Sequence, residues 1–148
     1  MWTSHRIRLL ILTIAALLPR GAAAQQVDWP SASVVLFVAD WCAPCHGEVE
    51  RVPALVAAAQ PWRVLVASGD RTPRPRLLER VPAANRWHPD PVTAVRVRRE
   101  LLSRTAGLPY AAVLDRDGHL CAESARPLNS ARLRALLAQC DGRPPAAP

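Results

Sequence analysis

From Val34 to Ala39 the chain reads Val-Val-Leu-Phe-Val-Ala, an unbroken and largely β-branched apolar run. Without polar alternation, this is the pattern of a strand buried on both faces, predicted over 33–39. The period then changes. Val49, Val52, Leu55 and Val56 recur at helical spacing and predict a helix over 43–59, kinked by Pro53 and ended by Gln60-Pro61. Trp62 to Ala67 reads as a second strand, and a strand-helix-strand unit of this length implies a right-handed parallel crossover.

Residues 69–75, Gly-Asp-Arg-Thr-Pro-Arg-Pro, predict a loop, 76–81 a short helix, and 82–91, with Pro82, Pro89 and Pro91, an irregular stretch. Pro91 suits the first position of a helix running through Val92 to Arg104, with Val95, Val97, Leu101 and Leu102 as its apolar positions and Gly107 near its end. Strands at 110–115 and 119–124 flank Arg116-Asp117-Gly118, a hairpin signal, and should pair antiparallel. Asn129 or Ser130 can cap a last helix whose Leu133, Leu136, Leu137 and Cys140 share one face. Residues 141–148, Asp-Gly-Arg-Pro-Pro-Ala-Ala-Pro, have nothing to bury and are expected to be a disordered tail.

The beginning of the chain has a different grammar. His5, Arg6 and Arg8 precede an apolar stretch from Leu9 to Leu18 interrupted by Thr13, and Ala22-Ala23-Ala24 stands before Gln25. This is the layout of a secretory signal peptide over 1–24, cleaved after Ala24. The apolar stretch falls short of the about 20 residues a membrane-spanning helix needs. An uncleaved N-terminal anchor facing the periplasm is the alternative. A single domain over 25–140, periplasmic or secreted, without stable membrane insertion and monomeric, is the resulting expectation.

Charge changes this picture little. The 19 basic residues are all arginine, against 12 acidic ones, for a net charge of +7. Removal of Arg6, Arg8 and Arg20 with the signal lowers the excess to +4. Export argues against nucleic acid as a partner. Nine arginines nevertheless fall between 71 and 104, where Glu79, Asp90 and Glu100 are the only acids. Such a stretch is either a solvated basic face or a surface that favours an acidic partner.

The chemistry lies at 41–46, Trp-Cys-Ala-Pro-Cys-His, where the first strand gives way to the first helix. A cysteine at a helix N-terminus meets unpaired backbone N–H groups and the positive end of the dipole, both of which stabilise a thiolate. Cys45 follows almost one turn later, near enough to Cys42 to close a disulfide or resolve a mixed one. The expected roles are Cys42 as an accessible nucleophile, a more buried Cys45 as resolving thiol, Pro44 tuning the loop between them and Trp41 shielding the site.

With this motif, the element order and the segment Gly107-Leu108-Pro109-Tyr110 leading into Ala111-Ala112-Val113-Leu114-Asp115-Arg116-Asp117-Gly118, the chain resembles the thioredoxin superfamily over 33–140. Within it the chain is similar to exported thiol-disulfide oxidoreductases of the TlpA, ResA and DsbE type. The resemblance implies an α/β thioredoxin-like fold: a central mixed sheet, made of the parallel unit and the antiparallel hairpin, flanked by helices. It further implies Pro109 as the cis-proline beside the cysteines, protein thiols or disulfides as substrates, a redox partner protein and no cofactor. A reducing role, in cytochrome c maturation or copper-site assembly, is implied in the same way. The chain departs from the relatives at Leu36, which stands six positions before Cys42 where thioredoxins carry a buried acid. Pro53, eight residues after Cys45, also comes later than the usual helix proline. Glu48, one turn after Cys45, is the candidate replacement proton acceptor, and an exposed helix glutamate is the plainer alternative.

The same cysteines admit two other readings. Cys42-Ala43-Pro44-Cys45-His46 also fits the attachment motif of c-type haem, with His88 or His119 as the distal ligand because Met1 is the sole methionine. A metal-binding chaperone would use Cys42, Cys45 and His46, but adjacent Cys45 and His46 should point to different sides of a helix. Cys121 and Cys140 are separate. A strand from 121 to 126 advances about 16 Å and a helix from 130 to 140 returns about 15 Å, which brings the two to one level. A structural disulfide is expected there, with two buried thiols as the alternative.

Overall fold

The computed structural model describes residues 27–70 and 75–141. The expected signal segment and nearly all of the expected tail lie outside them, whereas Asp141 is the last residue of a helix and not the first of a tail. No helix among the described residues is long and apolar enough to cross a membrane.

Four strands make one mixed sheet: β1 (Ser33–Val38), β2 (Arg63–Ser68), β3 (Tyr110–Leu114) and β4 (Leu120–Ser124), in the order β2-β1-β3-β4. β1 runs parallel to β2 and antiparallel to β3, and β3 pairs antiparallel with β4. The uninterrupted apolar run of β1 matches its place. Val34, Leu36 and Val38 enter one core while Val35 and Phe37 enter the other, so both faces of the strand are covered. The parallel crossover and the hairpin are as the sequence predicts.

The helix expected over 43–59 is two: α1 (Ala43–Glu50) and α2 (Val52–Ala59). The break falls at Arg51 rather than at Pro53, because a proline ring collides with the carbonyl one turn earlier and the chain must turn aside before reaching it. α3 (Arg76–Glu79) is short, and α4 (Pro91–Arg104) starts from Asp90, whose carboxylate accepts hydrogen bonds from the N–H groups of Val92 and Thr93. α5 (Ser130–Asp141) buries Leu133, Leu136, Leu137 and Cys140 as expected. In the irregular stretch, Ala83–Asn85 forms one 3₁₀ turn and Arg86 makes a parallel bridge to Val66.

The two faces of the sheet are covered differently. α1, α2 and α5 pack over one side with Val49, Val52, Leu55, Leu133 and Leu137. On the other, α4 contributes only Val97 and Leu101 to the core. The expected inward positions Val95 and Leu102 are exposed, at 60% and 69%. Val27, Trp29, Trp87, Leu108 and Leu120 pack against this core as well, with the Trp29 ring edge-on to Phe37 at 6.1 Å. At the hairpin, Gly118 takes φ +80°, a left-handed conformation that glycine adopts without steric cost, and a side chain there would also crowd the Trp29 carbonyl.

Candidate dithiol active site

β1 hands the chain to α1 through Ala39, Asp40 and Trp41, and Cys42 is the N-cap of α1. Its own side chain makes no capping hydrogen bond, Pro44 sits within the first two helical positions, and no acid lies in the first turn. The positive end of the helix therefore faces the Cys42 sulfur without a competing anion on that turn. Cys42 and Cys45 are joined in a disulfide, with Cα atoms 5.3 Å apart. Both are buried, at 3% and 0% exposure. Cys42 is not the accessible sulfur the sequence suggested; in the disulfide both cysteines lie among the apolar groups of the core.

Trp41 is 71% exposed, lying outside rather than enclosing the pair. Its ring lines a shallow groove with Leu102, Gly107 and Leu108. The Leu108–Pro109 bond is cis and Pro109 is buried. Because Phe37 pairs with Tyr110, Pro109 stands across from Val38, at the end of β1 that leads to the cysteines. The register thus brings the two motifs, far apart in sequence, to the same end of the two central strands.

A belt of polar contacts fixes the loop that precedes Cys42. The Asp40 carboxylate accepts from the N–H groups of Arg76 (3.0 Å) and Leu77 (2.7 Å), capping α3, while the Asp40 N–H donates to the Asp70 carboxylate (2.8 Å). His46 closes the belt: its Nε2 lies 3.1 Å from the Asp40 carbonyl and its Nδ1 3.3 Å from the Arg80 guanidinium, which also pairs with Glu50. Geometry of this kind selects the tautomer that donates from Nε2 and accepts at Nδ1. No local signal in the sequence marks Asp40, Asp70 and Arg80 as partners, since the contacts span 30 to 37 residues.

The hydrogen bond from Leu77 N–H is the main reason the Asp40 carboxyl lies below its ordinary 3.8, helped by Arg76 and His46 and opposed by partial desolvation. A lowered folded value means the contribution is fully present above the ordinary carboxylate pKa and is lost as pH falls through the lowered one. The Leu77 amide should accordingly lose protection against hydrogen exchange below about pH 4, and Asp40→Ala should abolish that protection near neutral pH. An unchanged Leu77 exchange rate in the variant would remove Asp40 as the anchor of α3.

Glu48 is not an exposed helix glutamate. It is 1% exposed, and its carboxylate accepts from the Leu128 N–H at 2.9 and 3.0 Å and from Arg51 at 2.9 Å. Arg51 in turn donates from Nε to the Leu128 carbonyl at 3.0 Å. One acid and one base from the end of α1 thus satisfy both backbone groups of Leu128, a residue without a strand partner. Arg51 was invisible as its partner in sequence because Leu128 lies 77 residues away. Glu48→Ala should cost about 2–4 kcal/mol in chemical denaturation, and Glu48→Gln about 1–2 kcal/mol since the amide oxygen still accepts from Leu128. Equal stability of both variants and the parent would deny the carboxylate this role.

Away from this end, Cys121 on β4 and Cys140 on α5 are also joined, with Cα atoms 5.2 Å apart. No family model matches the chain, and no curated protein matches it. Among solved structures it is similar to a candidate thiol:disulfide interchange protein DsbE from Chlorobium tepidum, at 24% identity over 74% of this chain and 78% of that one, with a TM-score of 0.46. The chain's own features are a mixed sheet in the order β2-β1-β3-β4, helices on both of its faces and a Cys-x-x-Cys pair at the start of α1. By these features the protein has a thioredoxin-like fold, with its Cys-x-x-Cys pair at the junction of β1 and α1.

Proposed function

We propose that this protein is an exported thiol-disulfide oxidoreductase that exchanges disulfides with protein substrates through Cys42 and Cys45. The observation that carries the reading is Cys42 at the uncompensated N-cap of α1, disulfide-bonded to a fully buried Cys45. In the reduced protein the Cys42 thiolate attacks one sulfur of a substrate disulfide, forming a mixed disulfide and releasing one substrate thiolate. The Cys45 thiolate then attacks the Cys42 sulfur, releasing the second substrate thiol and forming the intramolecular Cys42–Cys45 bond. Two electrons pass to the substrate. A redox partner protein must return them for another turnover. Run backwards, the same steps oxidise a substrate dithiol.

Pro109, Trp41 and Pro44 are assigned to the environment of this pair: Pro109 at the same end of the central strands, Trp41 on the substrate side and Pro44 within the first turn of α1. Resemblance to the TlpA and DsbE-type proteins supports the reducing direction, with cytochrome c maturation or copper-site assembly as the setting. No observation favours the haem or metal-chaperone readings. Both His46 ring nitrogens are engaged within the belt, and the two cysteines are bonded to each other.

The test is equilibration of the purified protein in glutathione or dithiothreitol buffers, reading the fraction of Cys42–Cys45 dithiol. A potential near that of thioredoxin, about −270 mV, marks a reductant, and one near −120 mV an oxidant. Brief alkylation of the reduced form near neutral pH should label Cys42 much faster than Cys45. Equal labelling would overturn the assigned roles.

A further inference from the structure

The surface beside Trp41 is apolar and cationic at once. Trp41 and Leu102 are the two most exposed of the large apolar side chains and line the same groove, of about 100 Å³, with Leu108 between β3 and the end of α4. Val95 lies seven residues before Leu102, two turns away on the same side of α4, and extends the apolar strip. Arg98 sits between them along this side and also lines the groove. Its guanidinium donates to the Asp70 carbonyl at 2.6 Å, which fixes its position without neutralising its charge. Arg99 is exposed on the next position round the helix.

The acids of this region have partners of their own, the Asp70 carboxylate near Arg98 accepting from the Asp40 N–H and the Ser68 hydroxyl. Glu100 pairs with Arg104 at 2.6 Å, and Glu123 accepts from Tyr110 and Arg104. Helical geometry places Glu100 and Arg104 well round α4 from Leu102. Among the described residues, no carboxylate forms an ion pair with Arg98 or Arg99.

Resting on the oxidoreductase reading, we propose that this face recognises substrate proteins through an acidic segment flanking the reacting cysteine. An apolar residue of that segment seats between Trp41, Leu102 and Leu108, while a carboxylate pairs with Arg98 or Arg99. An arginine fork matches a carboxylate in geometry as well as charge, and one already held in place loses little freedom on pairing. Trp41 adjoins Cys42 in the chain, so a segment lying in this groove is delivered to the reacting sulfur. A basic segment meets like charge along the whole approach and is selected against.

Two matched peptides provide the test, each carrying one cysteine as its mixed disulfide with 2-mercaptoethanol, and differing only in aspartates or lysines on both sides. The reduced full-length protein should reduce the acidic peptide about tenfold faster at low ionic strength, with the gap narrowing in ~0.5 M salt. Arg98→Glu combined with Arg99→Glu should reverse the preference, and Arg99→Glu alone should move it the same way while leaving the Asp70 contact of Arg98 in place. Leu102→Ser should slow both peptides alike. All three variants should reduce the neutral bis(2-hydroxyethyl) disulfide at the parent rate.

Equal rates for the two peptides, or a preference that survives the double charge reversal, would overturn the proposal while leaving the oxidoreductase reading intact. Sedimentation showing a dimer that Leu102→Ser dissolves would assign the face to a second copy and overturn it as well. If the protein reduces neither the peptides nor bis(2-hydroxyethyl) disulfide, the oxidoreductase reading itself falls, and the docking proposal with it.

Discussion

Cys42→Ser should bring disulfide reduction down to the rate of buffer alone, whereas Cys45→Ser should accumulate covalent complexes with protein substrates. The asymmetry follows from the two-step exchange. Removing Cys42 leaves no thiolate at the end of α1 to attack, while removing Cys45 leaves the attack and deletes the release. Cys42 is also the one at the N-cap of α1, where the positive end of the helix favours its thiolate as the attacking group. The measurement is non-reducing electrophoresis of cells producing each variant, beside insulin reduction by the purified forms. Equal trapping by both variants, or trapping by neither under oxidising conditions, would leave the cysteine pair without the mechanism assigned to it.

The second large effect is on stability. Cys121 and Cys140 tie the edge strand β4 to the buried face of α5 across a separation of 19 residues, and both sulfurs sit in the core. In the chain-entropy model, a cross-link closing a loop of this length contributes about 3 kcal/mol by restricting the unfolded chain. Replacing both cysteines by alanine should therefore lower Tm by roughly 10 °C in a domain of this size. Disulfide reduction per folded molecule should stay close to that of the parent, because the Cys42–Cys45 pair follows β1, which β3 separates from β4 in the sheet. A large loss of rate at unchanged Tm would mean instead that the second pair relays electrons. Two free thiols in the oxidised protein would remove the bridge.

Much of this architecture was legible along the chain because the determining forces are local or periodic. β1 announced itself by lacking polar alternation, and a strand buried on both faces can only be central. Gly118 marked the hairpin, since the turn needs a left-handed residue. The cysteine pair and Pro109 were legible as motifs, and the register of β1 on β3 brings them to the same end of these strands. Two helical boundaries shifted for local reasons of a subtler kind: the Pro53 ring acts on the turn before it, so the break appears at Arg51.

Burial of polar groups was not legible in the same way. Glu48 looked like a solvent-facing helix residue because nothing in its neighbourhood announces Leu128, whose backbone amide and carbonyl needed partners in the core. The belt of Asp40, Asp70, His46 and Arg80 has the same origin. Apart from the six-residue span between His46 and Asp40, its contacts join segments 30 to 37 residues apart, and the alignment of those segments is set by packing of the sheet and helices. α4 shows the converse error. Val95 and Leu102 satisfy a helical apolar pattern, yet α4 adds only Val97 and Leu101 to the buried core and leaves those two exposed.

The sequence by itself determined the strand and helix order, the central place of β1 and the position of Cys42 and Cys45 at a strand-to-helix junction. Each is encoded by hydrophobic period, turn residues or a fixed three-residue spacing, and none needs a distant partner. Tertiary structure alone decided that Cys42 is sheltered, that Glu48 and Arg51 secure Leu128, and that Trp41 and Leu102 share a groove beside Arg98. These depend on which distant surfaces meet when the two cores close. A polar group driven inward by that closure must find its hydrogen bonds there, and an apolar one left outside remains available for a partner.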